Sequence, residues 1–368
     1  MDIYLSHSSS LAFWSSFEIS SGALARCRDS RSPSWRKDEP LPSECKVTEL
    51  LIRELARMPE LEGIALPLHV IVPSQAARSR CGKVACHVSS AMFPRGSFVR
   101  IARNVLASSP ELCFVQMASE LSLPKLIRLG FELCGTYGVA TVGKADFRFE
   151  RPFTTPARLA RFLDKAANMP GTVKARKALK HLVAGSASPM ETTLAMLLCL
   201  PLRMGGYALP QPRMNHAVNP RGRSRLAVDD KCYYCDLIWP NANIALEYDG
   251  REHHGTVNKM ADDATRRNNL LDRGVSVLTV TTRTVRNLIE LDHFARTLSR
   301  QLGFRPRCDQ QAWRAKQHEL HGELLGASFM TVGRVPNRGV SGPSPENRRH
   351  PCEVNLSLRP PSGQWRSL

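Results

Sequence analysis

The chain has 368 residues, 42% of them hydrophobic, which is enough to bury more than one core. Its 51 Lys+Arg against 33 Asp+Glu give a formal charge of +18, a balance that favours a polyanionic partner and bears on association rather than fold. The longest apolar run, 194–202, is far too short to span a bilayer, and the start MDIYLSHSSS has no basic stretch, so neither a membrane span nor a secretory signal is expected.

The first half alternates short strands and helices. The segment Tyr4-Leu5-Ser6-His7-Ser8 leads through Ala12 to an amphipathic helix near 47–58. Strands are expected at 68–72, ending in Pro73, and then at 87–90 and 97–101. Ser109-Pro110-Glu111 is a helix start with proline inside it, leading into 112–118, and a second helix covers 123–134. Ser6-His7-Ser8 with Ala12, the strand HVIVP, His87, and Ser109-Pro110-Glu111 before a helix resemble the AbiEi antitoxin-like region. That resemblance implies a toxin–antitoxin or defence setting, with a partner toxin or defence-locus protein. The winged helix usual at the start of such proteins is not evident.

Residues 152–172 are a transition with one helix, 157–168. A basic helix over 172–183 follows, with Lys174, Arg176, Lys177 and Lys180. It is either a solvated face or a surface lying against DNA. Ser188-Pro189-Met190-Glu191 then opens an apolar helix through Leu194, Leu197 and Leu198. The S-x-x-E spacing is a capping box, which by itself explains Glu191. A strand near 214–218 and a strand carrying Asp236 bracket Arg221, Arg223 and Arg225. Arginines alternating on a glycine-bearing loop suit phosphate contact, and a solvated loop explains them as well.

The strand carrying Asp236 is expected at 235–240 and its partner at 243–248, with Pro240-Asn241-Ala242-Asn243 as the turn. A hairpin closing about Asn241-Ala242 places Asp236 directly opposite Glu247, and strand alternation puts Asp249 on their face. Directly opposed like charges destabilise a sheet. A hard divalent cation between them removes the repulsion, since Mg²⁺ is held by one or two carboxylates plus water and phosphate oxygens. The plain alternative is that these carboxylates are solvated near strand ends and that Asp249-Gly250 is a turn dipeptide. Asp263 and Arg266 lie one turn apart on the next helix, where a surface ion pair is the default reading.

Asp236, Glu247, Asp249, Gly250, His253, Asp263, Arg266, Leu270 and Gly274 follow a pattern position by position. It is an acid on the second strand, E-x-D-G-x-x-H, D-x-x-R-x-x-x-L-x-x-x-G and a final strand. This resembles the nuclease-like domain related to very-short-patch-repair endonucleases, of the PD-(D/E)XK superfamily. The resemblance implies a sheet of about four strands flanked by helices, and DNA cleavage dependent on Mg²⁺ or Mn²⁺. Asp236 and Glu247 would bind metal, and Glu191 and Asp249 would assist. His253, beside His254, would serve as base or phosphate contact, and Arg266 would hold the acids or a phosphate. One position departs from the pattern: the superfamily lysine two residues after Glu247 is Asp249 here.

The 11 cysteines are odd in number and irregularly spaced, as suits reduced thiols in a cytoplasm. Cys232 and Cys235 form a lone C-x-x-C. A structural zinc site needs two more ligands, and the nearest donors, Cys81, Cys86 and His87, lie far upstream. The fold class expected is α/β (α+β). Residues 1–150 form the antitoxin-like α/β region, 151–185 a helical linker, 186–303 the nuclease-like α-β-β-β-α-β core, and 304–368 a helix and a disordered tail. Two functions fit: a metal-dependent endonuclease acting on DNA, or a DNA-binding regulator with an inactive nuclease fold.

Overall fold

Proline and serine or threonine punctuate this chain, and the computed structural model shows what they do. It describes residues 2–15, 35–43, 55, 64–138, 147–148, 152–218, 232–250, 257–304 and 310–326. Helices α2 (Pro110–Met117), α3 (Leu123–Leu133), α4 (Pro156–Lys165) and α6 (Pro189–Cys199) all start alike. The side chain of Ser109, Ser122, Thr155 or Ser188 accepts a backbone N–H, with proline in the first turn. Each such cap is worth about 1 kcal/mol, and proline there removes a donor that would have had no helical partner.

The architecture is mixed α and β, with two mixed sheets. The first has the order β3-β2-β1-β5-β4, built from β1 (Ile3–Leu5), β2 (Leu68–Val72), β3 (Val84–Val88), β4 (Phe98–Ala102) and β5 (Val105–Ser108). β1 runs parallel to β5 and antiparallel to β2, and β2 runs parallel to β3. Every residue of β1 and β5 is buried, as a strand covered on both faces must be. The expected strand at 87–90 is the end of β3. β5 was not anticipated, because its four residues follow a two-residue turn and show no alternation. Helix α1 (His7–Trp14) follows β1 directly, and two of its serines tie it to the sheet. Ser9 Oγ accepts from the His69 backbone N–H at 2.8 Å, and Ser10 Oγ accepts from the Ser108 backbone N–H at 3.1 Å. The helix expected at 47–58 lies outside the described residues except for Leu55, and the tail from 333 lies wholly outside them.

The second sheet has the order β11-β10-β9-β8. Its strands are β8 (Arg213–Val218), β9 (Tyr233–Trp239), β10 (Ile244–Asp249) and β11 (Ser276–Thr281). β8, β9 and β10 form an antiparallel meander, and β11 joins β10 in parallel after the crossover helix α7 (Val257–Asp272). With α6 ahead of β8, the element order is α-β-β-β-α-β. Between the sheets in sequence lie the small pair β6 (Tyr137–Gly138) and β7 (Phe147–Arg148), then α4 and α5 (Thr172–Leu179). After β11 come α8 (Thr282–Arg286), α9 (Leu288–Gln301) and α10 (Gln310–Leu325).

One hydrophobic cluster runs from Leu5 and Phe114 through Leu194 and Leu197 to Leu237, Leu246 and Leu320. Each such side chain, fully buried, contributes about 1.5–3 kcal/mol. A smaller cluster, Cys235, Ile238, Ala245, Leu270 and Val275, fills the opposite side of the second sheet beneath α7. α10 is fixed by polar contacts as well. Tyr207 Oη donates to Asp292 Oδ1 at 2.6 Å, and Gln317 Nε2 donates to both. Gly205 holds φ +93, and a Cβ there would lie 2.1 Å from the Lys316 carbonyl oxygen, so only glycine lets α10 approach. Among the described residues no helix is long and apolar enough to cross a membrane.

Candidate metal and phosphate site

The turn at 240–243 sets the geometry. Trp239 pairs with Ile244 and Leu237 with Leu246, so the hairpin closes about Asn241-Ala242 and the register carries Asp236 to Glu247. On the other side Leu237 pairs with Met214 and Cys235 with His216, which carries Asp236 to Asn215. The ladder stops at Leu237 and Leu246, and the Asp236 side chain fills the fork. Its Oδ2 accepts the Tyr248 backbone N–H at 2.8 Å, a donor that would otherwise face β9.

Glu191 enters from the first turn of α6 and is buried, 5% exposed. Ser188 Oγ accepts the Glu191 N–H at 3.1 Å, the first half of the capping box. The second half is shifted by one residue: Glu191 Oε2 accepts the Ala187 N–H at 2.8 Å, and Asn215 Nδ2 donates to the same oxygen at 2.6 Å. Asn215 can do this because its backbone is left-handed, φ 43, an uncommon setting for a non-glycine residue and one that asparagine tolerates. Nothing in the sequence singled out Asn215. Its only signal is an amide in a strand one register step from Asp236.

Glu247 is half-buried. Arg266 of α7 lies against it, with Nη1 donating to Oε2 at 3.1 Å and Nη2 2.7 Å from Oε1. Nη2 also donates to the Tyr234 carbonyl. Oε1 is buried and takes no well-aligned hydrogen bond, so Arg266 neutralises it by charge without satisfying its lone pairs. The expected helix-surface role of Arg266 therefore gives way to one at the acids.

Burial pushes the Glu191 carboxyl above its ordinary value, and the charge of Asp236 adds to this. Burial likewise pushes Glu247 up, opposed by Arg266 and reinforced by Asp236. Asp236 is thus the charge that Glu191 and Glu247 both feel. Asp249 shares the face of Glu247 by strand alternation and is exposed at the end of β10, paired with Thr281. His253, His254, Arg221, Arg223 and Arg225 lie outside the described residues. Cys232 is exposed and Cys235 buried.

The donors here are carboxylate oxygens, and one of them, Glu247 Oε1, is buried without a hydrogen bond. Hard oxygens of this kind fit Mg²⁺ or Mn²⁺. Glu191, Asp236 and Glu247 do not form a trio with all donor atoms within 4.8 Å of one another, so a cation shared by all three requires them to draw in. No family profile, no curated protein and no solved structure matches this chain.

Proposed function

We propose that residues 186–303 are a PD-(D/E)XK-type nuclease that hydrolyses phosphodiester bonds of DNA with Mg²⁺ or Mn²⁺, in a defence or toxin–antitoxin setting. The observation that carries this is the fork between β9 and β10. Asp236, Glu247 and Glu191 gather there at the end of an α-β-β-β-α-β order, with both glutamates raised by burial and by the charge of Asp236. A chain selected only to bind a polyanion gains nothing from acids gathered on one site. Asp236 and Glu247 are the metal ligands in this reading. A bound cation would supply water activation and would neutralise charge on the leaving oxygen.

The chain's own residues do the rest. Asn215 and the Ala187 N–H hold Glu191 in place, and the Tyr248 N–H holds Asp236. Arg266 opposes the upward push of burial on Glu247 and offers its guanidinium to a phosphate. Asp249 assists at the rim. His253 takes the proton of the attacking water as its oxygen bonds to phosphorus and the bond to the leaving oxygen breaks, or else it contacts the phosphate. Arg221, Arg223 and Arg225 add contacts to the backbone phosphates.

A second reading has its own support. The aspartate in the lysine position, and an arginine already neutralising Glu247, suit a DNA-binding regulator that keeps the fold without the reaction. The two part in one experiment. Plasmid, linear and single-stranded DNA are incubated with the full chain in Mg²⁺, Mn²⁺ or EDTA, beside Asp236→Ala. Metal-dependent cleavage lost in the variant supports the enzyme. Salt-sensitive DNA binding without cleavage in any condition supports the regulator.

A further inference from the structure

The first sheet holds a polar cluster that the nuclease reading does not use. His7 starts α1, directly after the central strand β1. His69 lies on β2 and His87 on β3, and Glu120 follows α2. The His7 and His87 rings stack with centroids 3.6 Å apart and 17° between planes. His69 Nδ1 lies 2.9 Å from His87 Nε2, and His7 Nδ1 lies 3.1 Å from Ser6 Oγ. One nitrogen or oxygen from each of His7, His87 and Glu120 comes within 4.8 Å of the other two, and they are the one such trio among the described residues.

We infer that His7, His87 and Glu120 form a binding site for a first-row transition cation of the Zn²⁺ class, with His69 orienting His87. Two imidazoles and a carboxylate are the donor set of open zinc sites, which keep a fourth position for water. The same set is a poor match for Mg²⁺, which prefers oxygen throughout. A ligating histidine usually donates its other ring N–H to a neighbour that fixes tautomer and orientation. Here both histidines have such a neighbour, Ser6 for His7 and His69 for His87. Each contact takes one ring nitrogen and leaves the other for a ligand.

Three further observations point the same way. His7 holds a left-handed backbone, φ 47, a conformation that a non-glycine residue keeps only when its surroundings impose it and that gathers at ligand sites. Gln116 gives its Oε1 to the His7 N–H at 3.0 Å, while its Nε2 is buried with no partner. Orphaned donors of this sort are few in folded proteins and call for an acceptor such as a water, which a cation held beside His7 would carry. Burial, with the neighbouring histidines next, pushes His7 down to about 3, and burial pushes His87 down to about 4. Both rings are therefore neutral at neutral pH, the form that ligates. Two ligands about 2.1 Å from a tetrahedral zinc lie about 3.4 Å apart, a spacing inside the 4.8 Å span of this trio, and one stacked ring must turn so that the lone pairs converge.

The test uses the full chain stripped with chelator and titrated with Co²⁺ and then Zn²⁺, read by visible absorption and by bound metal per chain after gel filtration. The wild type should hold one equivalent more than His87→Gln, with a cobalt spectrum of nitrogen and oxygen ligands and no thiolate charge-transfer band. Glu120→Gln, at an exposed position where folding is not at stake, should weaken that equivalent at least about tenfold. His69→Ala should weaken it roughly 10–100-fold. Equal metal content in wild type, His87→Gln and Glu120→Gln, with all three folded by circular dichroism, would overturn the site. So would a thiolate band that carries the whole signal.

Discussion

The two sheets handle buried ionisable groups in opposite ways. At the fork of β9 and β10 the groups are carboxylates that burial and the charge of Asp236 push toward the protonated form, opposed at Glu247 by Arg266 and Arg267. At the end of β1 the groups are imidazoles that burial and mutual repulsion push toward the neutral form. A buried group that resists charge is a cost unless something at the site recovers it. In both places a cation would do so, hard at the carboxylates and borderline-soft at the imidazoles. Function is thus best sought where like groups have been brought together against their own repulsion.

The largest effect expected is at Asp236. Asp236→Asn should lower metal-dependent DNA cleavage by at least about 100-fold and keep or strengthen DNA affinity, because it removes negative charge near the phosphate. Affinity should fall steeply with added salt in both proteins. Cleavage by gel and binding by fluorescence anisotropy on one preparation decide it. If binding and cleavage fell together at unchanged melting temperature, Asp236 would be a support for the Tyr248 N–H and the contrast with the histidine site would lose one side.

Arg266 comes next. Arg266→Met leaves Glu247 half-buried beside Asp236 without its ion-pair partner and with only the weaker charge of Arg267, which should cost about 1–3 kcal/mol in denaturant melts. Adding Glu247→Gln should restore most of that loss, and the double-mutant cycle isolates the pair. Mg²⁺ should stabilise Arg266→Met more than the wild type if the cation takes the arginine's place at Glu247. Equal stabilisation would leave Glu247 as half of a structural ion pair only.

The pH dependence of stability sets the two clusters directly against each other. Glu191 and Glu247 have folded values above their ordinary 4.5. The folded state then binds more protons than the unfolded one, so their contribution is best at acid pH and is lost as pH rises from about 4.5 through the raised values. His7 and His87 have folded values of about 3 and about 4 against an ordinary 6.5. The unfolded state binds more protons there, so stability falls as pH drops from about 6.5 toward 4. Glu191→Gln with Glu247→Gln should flatten the loss on the higher-pH side. His87→Gln should flatten the loss on the acid side. Melting curves in metal-free buffer from pH 4 to 8 (about the window those values set) check both, and a variant that changed the wrong limb would refute the assignment of that cluster.

The sequence made the carboxylate site far more legible than the histidine site, and the reason is distance along the chain. Asp236 and Glu247 face each other through a hairpin whose turn residues fix the register, so local rules suffice. Glu191 was visible through its helix start. Asn215 was not, because its role depends on a left-handed backbone in a strand, which no alternation rule supplies. His7, His69 and His87 come from three segments, and only the pairing of β1 with β2 and of β2 with β3 brings them together. His87 was even read as the start of a strand, whereas it lies one residue from the end of β3. The mixed fold class and the meander followed from turns and periodicity. The parallel partners β1 with β5 and β10 with β11 are long-range facts that periodicity cannot specify.

The smallest and most discriminating effect is at Glu191. As a cap alone, Glu191→Gln should be nearly silent, because the amide oxygen can still accept from the Ala187 N–H and from Asn215 Nδ2, as Oε2 does now. The Ser188 half of the cap uses the backbone N–H and is untouched. As a metal-site acid the same change removes a charge beside Asp236. Metal-free stability should then stay level or rise by up to about 1 kcal/mol, since a buried carboxylate no longer resists its neighbour. The Mg²⁺ concentration for half-maximal cleavage should rise severalfold while the rate at saturating metal changes little. A melting curve with and without Mg²⁺ and a metal titration of rate, run on the wild type and the variant together, supply both readings. An unchanged titration would return Glu191 to the capping role and leave Asp236 and Glu247 as the ligands. A shifted titration with unchanged melting would place Glu191 at the metal, held there by the Ala187 N–H and by Asn215, whose amide also ties the Gly185 carbonyl.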